Sequence, residues 1–257
     1  MDARFAQELL RTRTGGRSRG LAMVSAFAIG TLAACSGGSA PHDGSIGGVR
    51  AAATTTASGD VAPAASNGVP LAVTRVGTLA EEGYDAVRTA KWSAAAALAD
   101  SLELATPGLP SSPAAQGFIA AELREAVASF GGTLRTRDRI GGMRATNRIT
   151  YLAAQLGAPY RTGTPTEVLL MDSYGRDLEI GAATHDAGAL QRTAGDISQA
   201  WRTLRTAVEA NGGAAEAARF DALVTRVREA RSPAESAKLA TPFLYEVDKL
   251  ELLLTKR

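Results

Sequence analysis

The stretch DAGALQRTAGDISQAWRTLRTAVEA, residues 186–210, carries the most regular apolar pattern in the chain. Its apolar side chains recur at alternating steps of four and three residues, at Leu190, Ala194, Ile197, Trp201, Leu204 and Val208. Such spacing places them along one stripe of an α-helix, which is the seam geometry of a left-handed helical bundle. We therefore predict a helix over residues 186–210 whose stripe is buried against other helices.

Helical spacing continues on both sides of this stretch, from Leu71 to the end of the sequence, without the alternation that a strand requires. We predict an all-α fold, an antiparallel bundle of six to seven helices, in a domain spanning residues 69–257. The predicted helices cover residues 78–105 with a bend near Lys91, 112–130, 135–156, a segment opening at 164–167, 186–210, a segment after Asn211-Gly212, and a segment from 232 onward.

Proline, glycine and capping residues set the predicted helix boundaries. Ser112 is predicted to be an N-cap followed by Pro113 at the first helical position, and Gly131-Gly132 to end that helix. The segments 164–167 (TPTE) and 232–235 (SPAE) are predicted capping boxes. In a capping box the cap oxygen accepts from the N3 amide, and the N3 glutamate accepts from the N–H of the cap residue.

Two segments of the predicted bundle, residues 112–156 and 214–254, share a layout of a helix, a break and a longer helix ending in leucines. Duplication of a three-helix unit would produce this likeness. Unrelated helical hairpins resemble one another in the same way, so both explanations stay open.

The residues before the domain read as a leader followed by a linker. Residues 1–20 carry a net charge of +3, and the run from Leu21 to Ala34 is uncharged and mostly apolar. This order is typical of a secretory signal peptide, and the apolar run is too short to span a membrane. Residues 36–68 are mainly Ser, Gly, Ala, Thr and Pro, a composition that predicts a disordered tether.

The tetrapeptide Leu32-Ala33-Ala34-Cys35 closes the apolar run and contains the only cysteine of the chain. It resembles the lipobox of bacterial lipoproteins. The resemblance implies a diacylglycerol on the Cys35 thiol, cleavage after Ala34, and an N-acyl chain on the new amino terminus. Residues 1–34 would then be the signal peptide and residues 35–68 the lipidated cysteine and its linker. The alternative is a cleaved, freely secreted protein in which Cys35 is incidental.

The resemblance also implies a cell-envelope location, with the membrane contacted through the lipid anchor. Ser36 stands where an aspartate marks inner-membrane retention in many Gram-negative lipoproteins, which favours the outer membrane facing the periplasm in such a cell. The whole chain has a formal net charge of +2, and the first 20 residues contribute +3, so the remainder is close to −1. No basic field remains for nucleic acid, which we do not expect as a partner.

The domain lacks the residue patterns of common catalytic and metal sites. Its one histidine, His185, is interpreted as an exposed or capping residue beside Asp186. No Gly-x-Ser-x-Gly elbow, Ser-x-x-Lys motif, glycine-rich phosphate loop or haem-attachment motif is present. We therefore expect no enzyme activity, no catalytic residue, no metal, and no cofactor besides the acyl groups on Cys35.

One polar cluster recurs at helical spacing on the third and fourth predicted helices, where antiparallel neighbours would face each other. Asp172 and Arg176 within it form a favourable i,i+4 pair. Three interpretations stay open: a pocket for a small ligand or cation, a salt-bridge network between helices, and a solvated face. The cluster consists of Arg144, Asn147, Arg148, Asp172, Arg176 and Glu179.

These patterns predict a lipid-anchored envelope lipoprotein whose helical domain binds or scaffolds a partner, and we expect that partner to be a protein. A first alternative is a periplasmic module that binds a small ligand or a metal through the polar cluster. A second alternative, a hydrolase of envelope polymer, is disfavoured because histidine and cysteine are scarce and only carboxylates could act as acid and base.

Overall fold

The computed structural model describes residues 68–161 and 165–255, and within them it contains eight α-helices and no strand. This confirms the predicted all-α helical bundle, with more helices than the six to seven expected. The signal peptide, the lipobox and nearly all of the tether lie outside the described residues. The helices are α1 (Leu71–Arg88), α2 (Trp92–Ala105), α3 (Ala114–Thr136), α4 (Arg139–Gly157), α5 (Thr166–Ala183), α6 (Ala187–Ala210), α7 (Ala214–Glu229) and α8 (Pro233–Leu254).

The described helices enclose two apolar cores, one in each group of four consecutive helices. The first half, α1–α4, buries Leu123 and Phe130, and the second half, α5–α8, buries Met171 and Phe220. In each half the first helix packs against the second and the fourth, and the third packs against the same two. The halves meet where α4 packs against α5, and Ile180 of α5 reaches the first core.

This repeated pattern of helix contacts bears on the likeness between residues 112–156 and 214–254. The two segments contain the third and fourth helices of their halves, α3–α4 and α7–α8. The shared unit among the described residues therefore has four helices rather than the three expected. Whether it arose by duplication stays a prediction.

The stripe of α6 is buried as predicted. Leu190, Ile197, Trp201, Leu204 and Val208 are all buried, and Ala194 is partly buried against the second core. The rings of Trp201 and Phe220 have centroids 4.6 Å apart, and those of Phe220 and Phe243 are 5.4 Å apart. The Trp201 indole N–H donates to Asp221 Oδ1 at 2.6 Å, so its polar atom is satisfied.

The predicted first helix is wrong in outline, because it is two helices that pack against each other. α1 begins seven residues earlier than expected, and the predicted bend near Lys91 is a complete reversal of the chain. Ala90 adopts a left-handed conformation with φ of 56°, and the Lys91 N–H donates to Ala86 O at 2.8 Å. Glycine usually marks such a helix end, so an alanine there gives no sequence signal.

The predicted boundaries of α3 are also wrong. Pro113, not Ser112, is the N-cap, and the helix continues through Gly131-Gly132 to Thr136, where Arg137 is left-handed. Leu134, beyond the glycines, packs against the first core. Two glycines cost a helix roughly 2 kcal/mol in total, and the packing of α3 against α2 and α4, to which the partly buried Leu134 contributes, outweighs this local preference.

The SPAE capping box is confirmed in part. Ser232 Oγ accepts from the Glu235 N–H at 3.3 Å, as predicted, but Glu235 Oε2 accepts from the Arg231 N–H at 2.7 Å rather than from that of Ser232. For α5 the N-cap is Pro165, and Thr164 lies outside the described residues. Asp138 and Asp186 cap α4 and α6 by accepting from backbone N–H groups three residues on.

Candidate functional site

A pocket of about 610 Å³ lies among α4, α5 and α6, where the two halves meet. We call it the junction pocket. α4 contributes a single helical face, because residues at spacings of three and four lie side by side. The lining residues are Arg144, Asn147, Arg148 and Tyr151 from α4, Tyr174, Asp177, Ile180, Gly181 and Thr184 from α5 and its end, and Asp186, Ala189, Arg192, Thr193 and Asp196 from the start of α6.

The most deeply buried polar side chain of the junction pocket is Asn147, which is 4% exposed. Its Nδ2 donates to the backbone oxygen of Ser173 at 3.0 Å and to Asp177 Oδ1 at 2.7 Å. Both amide hydrogens are thereby used, which fixes the orientation of the amide group. Its Oδ1 is buried and accepts no hydrogen bond from any described residue. Buried polar atoms are rarely left without a partner, so this acceptor calls for a donor.

Asp177 supplies a second acceptor beside Asn147. Burial raises the pKa of the Asp177 carboxyl to about 6, the Asn147 hydrogen bond opposes this rise, and the nearby charge of Asp196 adds to it. The carboxyl is therefore ionised at neutral pH but costs free energy in that form, and a cationic group beside it would offset the cost.

The rim of the junction pocket carries guanidinium groups in two different states. Arg148 is engaged, since its Nη2 lies 2.7 Å from Glu122 Oε2 and its guanidinium lies over the Tyr151 ring at 5.3 Å. Arg144 and Arg192 are exposed and form no ion pair with another described residue. Two unengaged cations on opposite walls, α4 and α6, are available to an anionic group.

The polar cluster expected from the sequence does not form a single site. Arg144, Asn147 and Arg148 line the junction pocket, whereas the other three residues project from a different face of α5, towards α1 and α8. The Asp172–Arg176 pair is present at 3.5 Å, and Arg176 Nη1 also donates to Thr150 Oγ1 of α4 at 3.3 Å.

The third residue of that second group, Glu179, accepts a hydrogen bond from the Tyr84 hydroxyl of α1 at 3.0 Å. The Arg176 guanidinium lies 5.4 Å from the centre of the Tyr84 ring. Arg88 Nε of α1 lies 4.0 Å from Glu179 Oε1. For Asp172, Arg176 and Glu179 the geometry is thus that of a salt-bridge network between helices.

The polar cluster predicted from the sequence does not include Asp177, Tyr174 or the polar residues of α6, although these residues line the junction pocket. Tyr174, Asp177, Gly181 and Thr184 recur at spacings of three and four, which was a signal for a second polar face on α5. Nothing local indicates which of the two faces of α5 turns towards α4, because that depends on tertiary packing. His185, expected to be exposed or capping, is exposed and adopts a left-handed conformation with φ of 55°.

Carboxylates from three helices crowd around Arg176, and we call this group the acidic seam: Glu81 of α1, Asp172 of α5, and Asp248 and Glu251 of α8. Burial and neighbouring carboxylates raise the pKa of Glu251 to about 8 and that of Asp172 by a smaller amount, while Arg176 opposes both shifts. Glu81 keeps an open side towards solvent, yet the helices around it displace water and raise its pKa as well. Among the described residues, no group of three His, Cys, Asp or Glu side chains could hold a metal ion.

Because the carboxylates of the acidic seam have raised pKa values, we expect the domain to be more stable in mild acid than in mild base. Glu251 binds a proton in the folded state up to about pH 8 but loses it above about pH 4.5 when unfolded, so stability falls as the pH rises between these values. We expect Glu251→Gln to raise the free energy of unfolding by about 1–2 kcal/mol at pH 8.5 and to leave it unchanged at pH 4.5. Urea denaturation followed by circular dichroism at both pH values measures this difference.

The matched control for that measurement is Glu82→Gln, which changes an exposed glutamate on the same helix as Glu81. We expect it to have no pH-dependent effect on stability. An equal rise in the free energy of unfolding for both variants would contradict this prediction, and so would a fall for Glu251→Gln at pH 8.5. Either result would show that the charges of the acidic seam do not destabilise the folded domain.

None of the described helices combines the length and apolarity needed to cross a membrane. No protein-family model matches the chain, and no curated protein or solved structure matches it either.

Proposed function

We propose that this chain is a lipid-anchored lipoprotein of the cell envelope whose helical domain binds a small polar ligand in the junction pocket. The observation that carries the ligand-binding role is the buried, unpartnered Oδ1 of Asn147, a residue that lines a pocket of about 610 Å³. Pockets that bind small molecules have volumes of roughly 300–1,000 Å³ and contain a few convergent polar groups. The proposed role is binding without catalysis.

The anchoring role is supported by the sequence alone. The lipobox-like Leu32-Ala33-Ala34-Cys35 follows a basic leader and a short apolar run, and a polar linker follows it. Two or more acyl chains hold a protein stably at a bilayer, whereas one holds it only marginally. The outer membrane, facing the periplasm, is the proposed destination in a Gram-negative cell.

A protein partner is the second candidate. Leu104 near the end of α2 and Phe118 in the first turns of α3 are 81% and 69% exposed, and these two helices pack against each other. Large apolar side chains on neighbouring helices favour a contact with another protein. The polar junction pocket is the better-defined feature, so ligand binding is our first proposal.

Ligand binding is tested by thermal unfolding of the full chain, purified in detergent, against a library of polar amino acids, short peptides, sugars, phosphates, amines and carboxylates. A ligand present at 100 times its Kd stabilises the folded state by about 2.7 kcal/mol. We expect at least one class to raise Tm in the wild-type chain and to have no effect on Ala189→Trp, which fills the junction pocket.

Ala210→Trp is the matched control, because it places the same side chain at an exposed position of the same helix, outside the pocket. It should keep the wild-type response. A library without any stabilising compound would contradict the ligand-binding proposal, and so would a shift in Tm that survives Ala189→Trp.

A further inference from the structure

We propose that the ligand of the junction pocket is a small zwitterion, an amino acid or short peptide with a free ammonium group and a free carboxylate. This inference rests on the proposed ligand-binding function and names the chemical class. The ammonium group would lie against Asn147 and Asp177, and the carboxylate would lie between Arg144 and Arg192.

The ammonium end follows from two acceptors on neighbouring residues, Asn147 Oδ1 and the Asp177 carboxylate, and the residues are joined by the hydrogen bond from Asn147 Nδ2 to Asp177 Oδ1. Asn147 Oδ1 is buried and has no donor among the described residues, and the adjacent Asp177 receives only the Asn147 amide in the hydrogen bonds of the described side chains. A hydroxyl donor would satisfy Asn147 but leave the charge of Asp177 uncompensated. An ammonium group has three donors and a positive charge, so it satisfies both groups together.

The carboxylate end follows from the unengaged cations of the rim. Arg144 lines the junction pocket from α4 and Arg192 lines it from α6, and a guanidinium binds a carboxylate through two parallel hydrogen bonds. An amine without a carboxylate would leave both cations without a partner. A purely anionic ligand would leave the Asn147–Asp177 acceptors unsatisfied and would approach three aspartates of the lining, Asp177, Asp186 and Asp196.

The mixed charge of the lining also sets a pH dependence for binding. Asp177 must be ionised to attract an ammonium group, and burial raises its pKa to about 6. Affinity should therefore be greatest near pH 7, where Asp177 is ionised and the ammonium group of the ligand is still protonated, and should fall towards about tenfold for each pH unit below pH 6. The other charged and titratable groups that line the pocket with Asp177 are Arg144, Arg148 and Tyr151 from α4, Tyr174 on its own helix, and Asp186, Arg192 and Asp196 from the start of α6, and of these Asp196 raises the pKa of Asp177.

The test uses isothermal titration of the full chain in detergent with the common L-amino acids and with alanylalanine, followed by capped forms of the tightest binder. We expect at least one zwitterion to bind. Its N-acetyl and carboxamide derivatives should each bind about tenfold or more weakly, because each removes one charge-assisted contact.

Variants assign the two ends. Asp177→Asn keeps the acceptor for Asn147 but removes the charge, so it should weaken the zwitterion about tenfold and abolish the pH dependence while leaving the affinity of the N-acetyl derivative unchanged. Arg192→Ala should weaken the zwitterion but not the carboxamide. Arg202→Ala, an exposed arginine of the same helix outside the pocket, should change neither.

Each remaining outcome is decisive. Capped derivatives that bind as tightly as the parent would overturn the zwitterion. A panel without binding, when a sugar or phosphate of the wider library does bind, would overturn this inference and leave the proposed function standing. Failure of every compound in both experiments would overturn both.

Discussion

Replacement of Cys35 by serine is expected to transfer the protein from the membrane fraction to an uncleaved or soluble form. The physical reason is that serine lacks the thiol to which the diacylglycerol is attached in the lipoproteins that the lipobox-like motif resembles. Each buried methylene contributes about 0.8 kcal/mol, so loss of the acyl chains removes nearly all of the membrane affinity. Fractionation and intact-mass spectrometry measure the change.

Ala34→Gly is the control for this experiment, because it keeps a small residue before the cleavage site and leaves Cys35 in place. We expect it to remain membrane-bound and acylated. A Cys35→Ser protein that stays in the membrane fraction, or a wild-type Cys35 without acyl mass, would refute the anchor. The alternative of a freely secreted protein would then be favoured.

The second large effect is expected from Phe220→Ala in the second core. Phe220 is fully buried between Trp201 and Phe243, and its removal leaves a cavity that three helices cannot readily close. Such substitutions lower the free energy of unfolding by about 3–5 kcal/mol. Urea denaturation followed by circular dichroism measures the loss for the whole domain.

Phe118→Ala removes the same side chain from a position that is 69% exposed, and we expect a change within about 0.5 kcal/mol. Trp92 lies against the first core and Trp201 within the second, so fluorescence of a Trp92→Phe chain follows the second half selectively. Equal destabilisation by both alanine variants would contradict the assignment of Phe220 to the core.

The stripe of α6 could be predicted because apolar periodicity is a local property of the sequence. The reversal at Ala90 could not, since alanine in a left-handed conformation carries no recognisable signal. The glycines of α3 misled for the opposite reason: they are a local signal for a helix end, and packing of α3 against α2 and α4 outweighs that signal.

The candidate site was predictable only as a set of polar faces. Helical spacing correctly grouped Arg144 with Asn147 and Arg148, and Asp172 with Arg176 and Glu179. It did not show that α5 has two polar faces, or that the one containing Asp177 is turned towards α4. The pocket also needs α6, whose position follows from packing between helices and not from any one helix.

The position of the junction pocket between the two halves has a mechanical consequence. Its walls belong to α4 of the first half and to α5 and α6 of the second half. A bound molecule would therefore contact both halves and link their separate cores. The binding free energy then adds to the work needed to pull the halves apart.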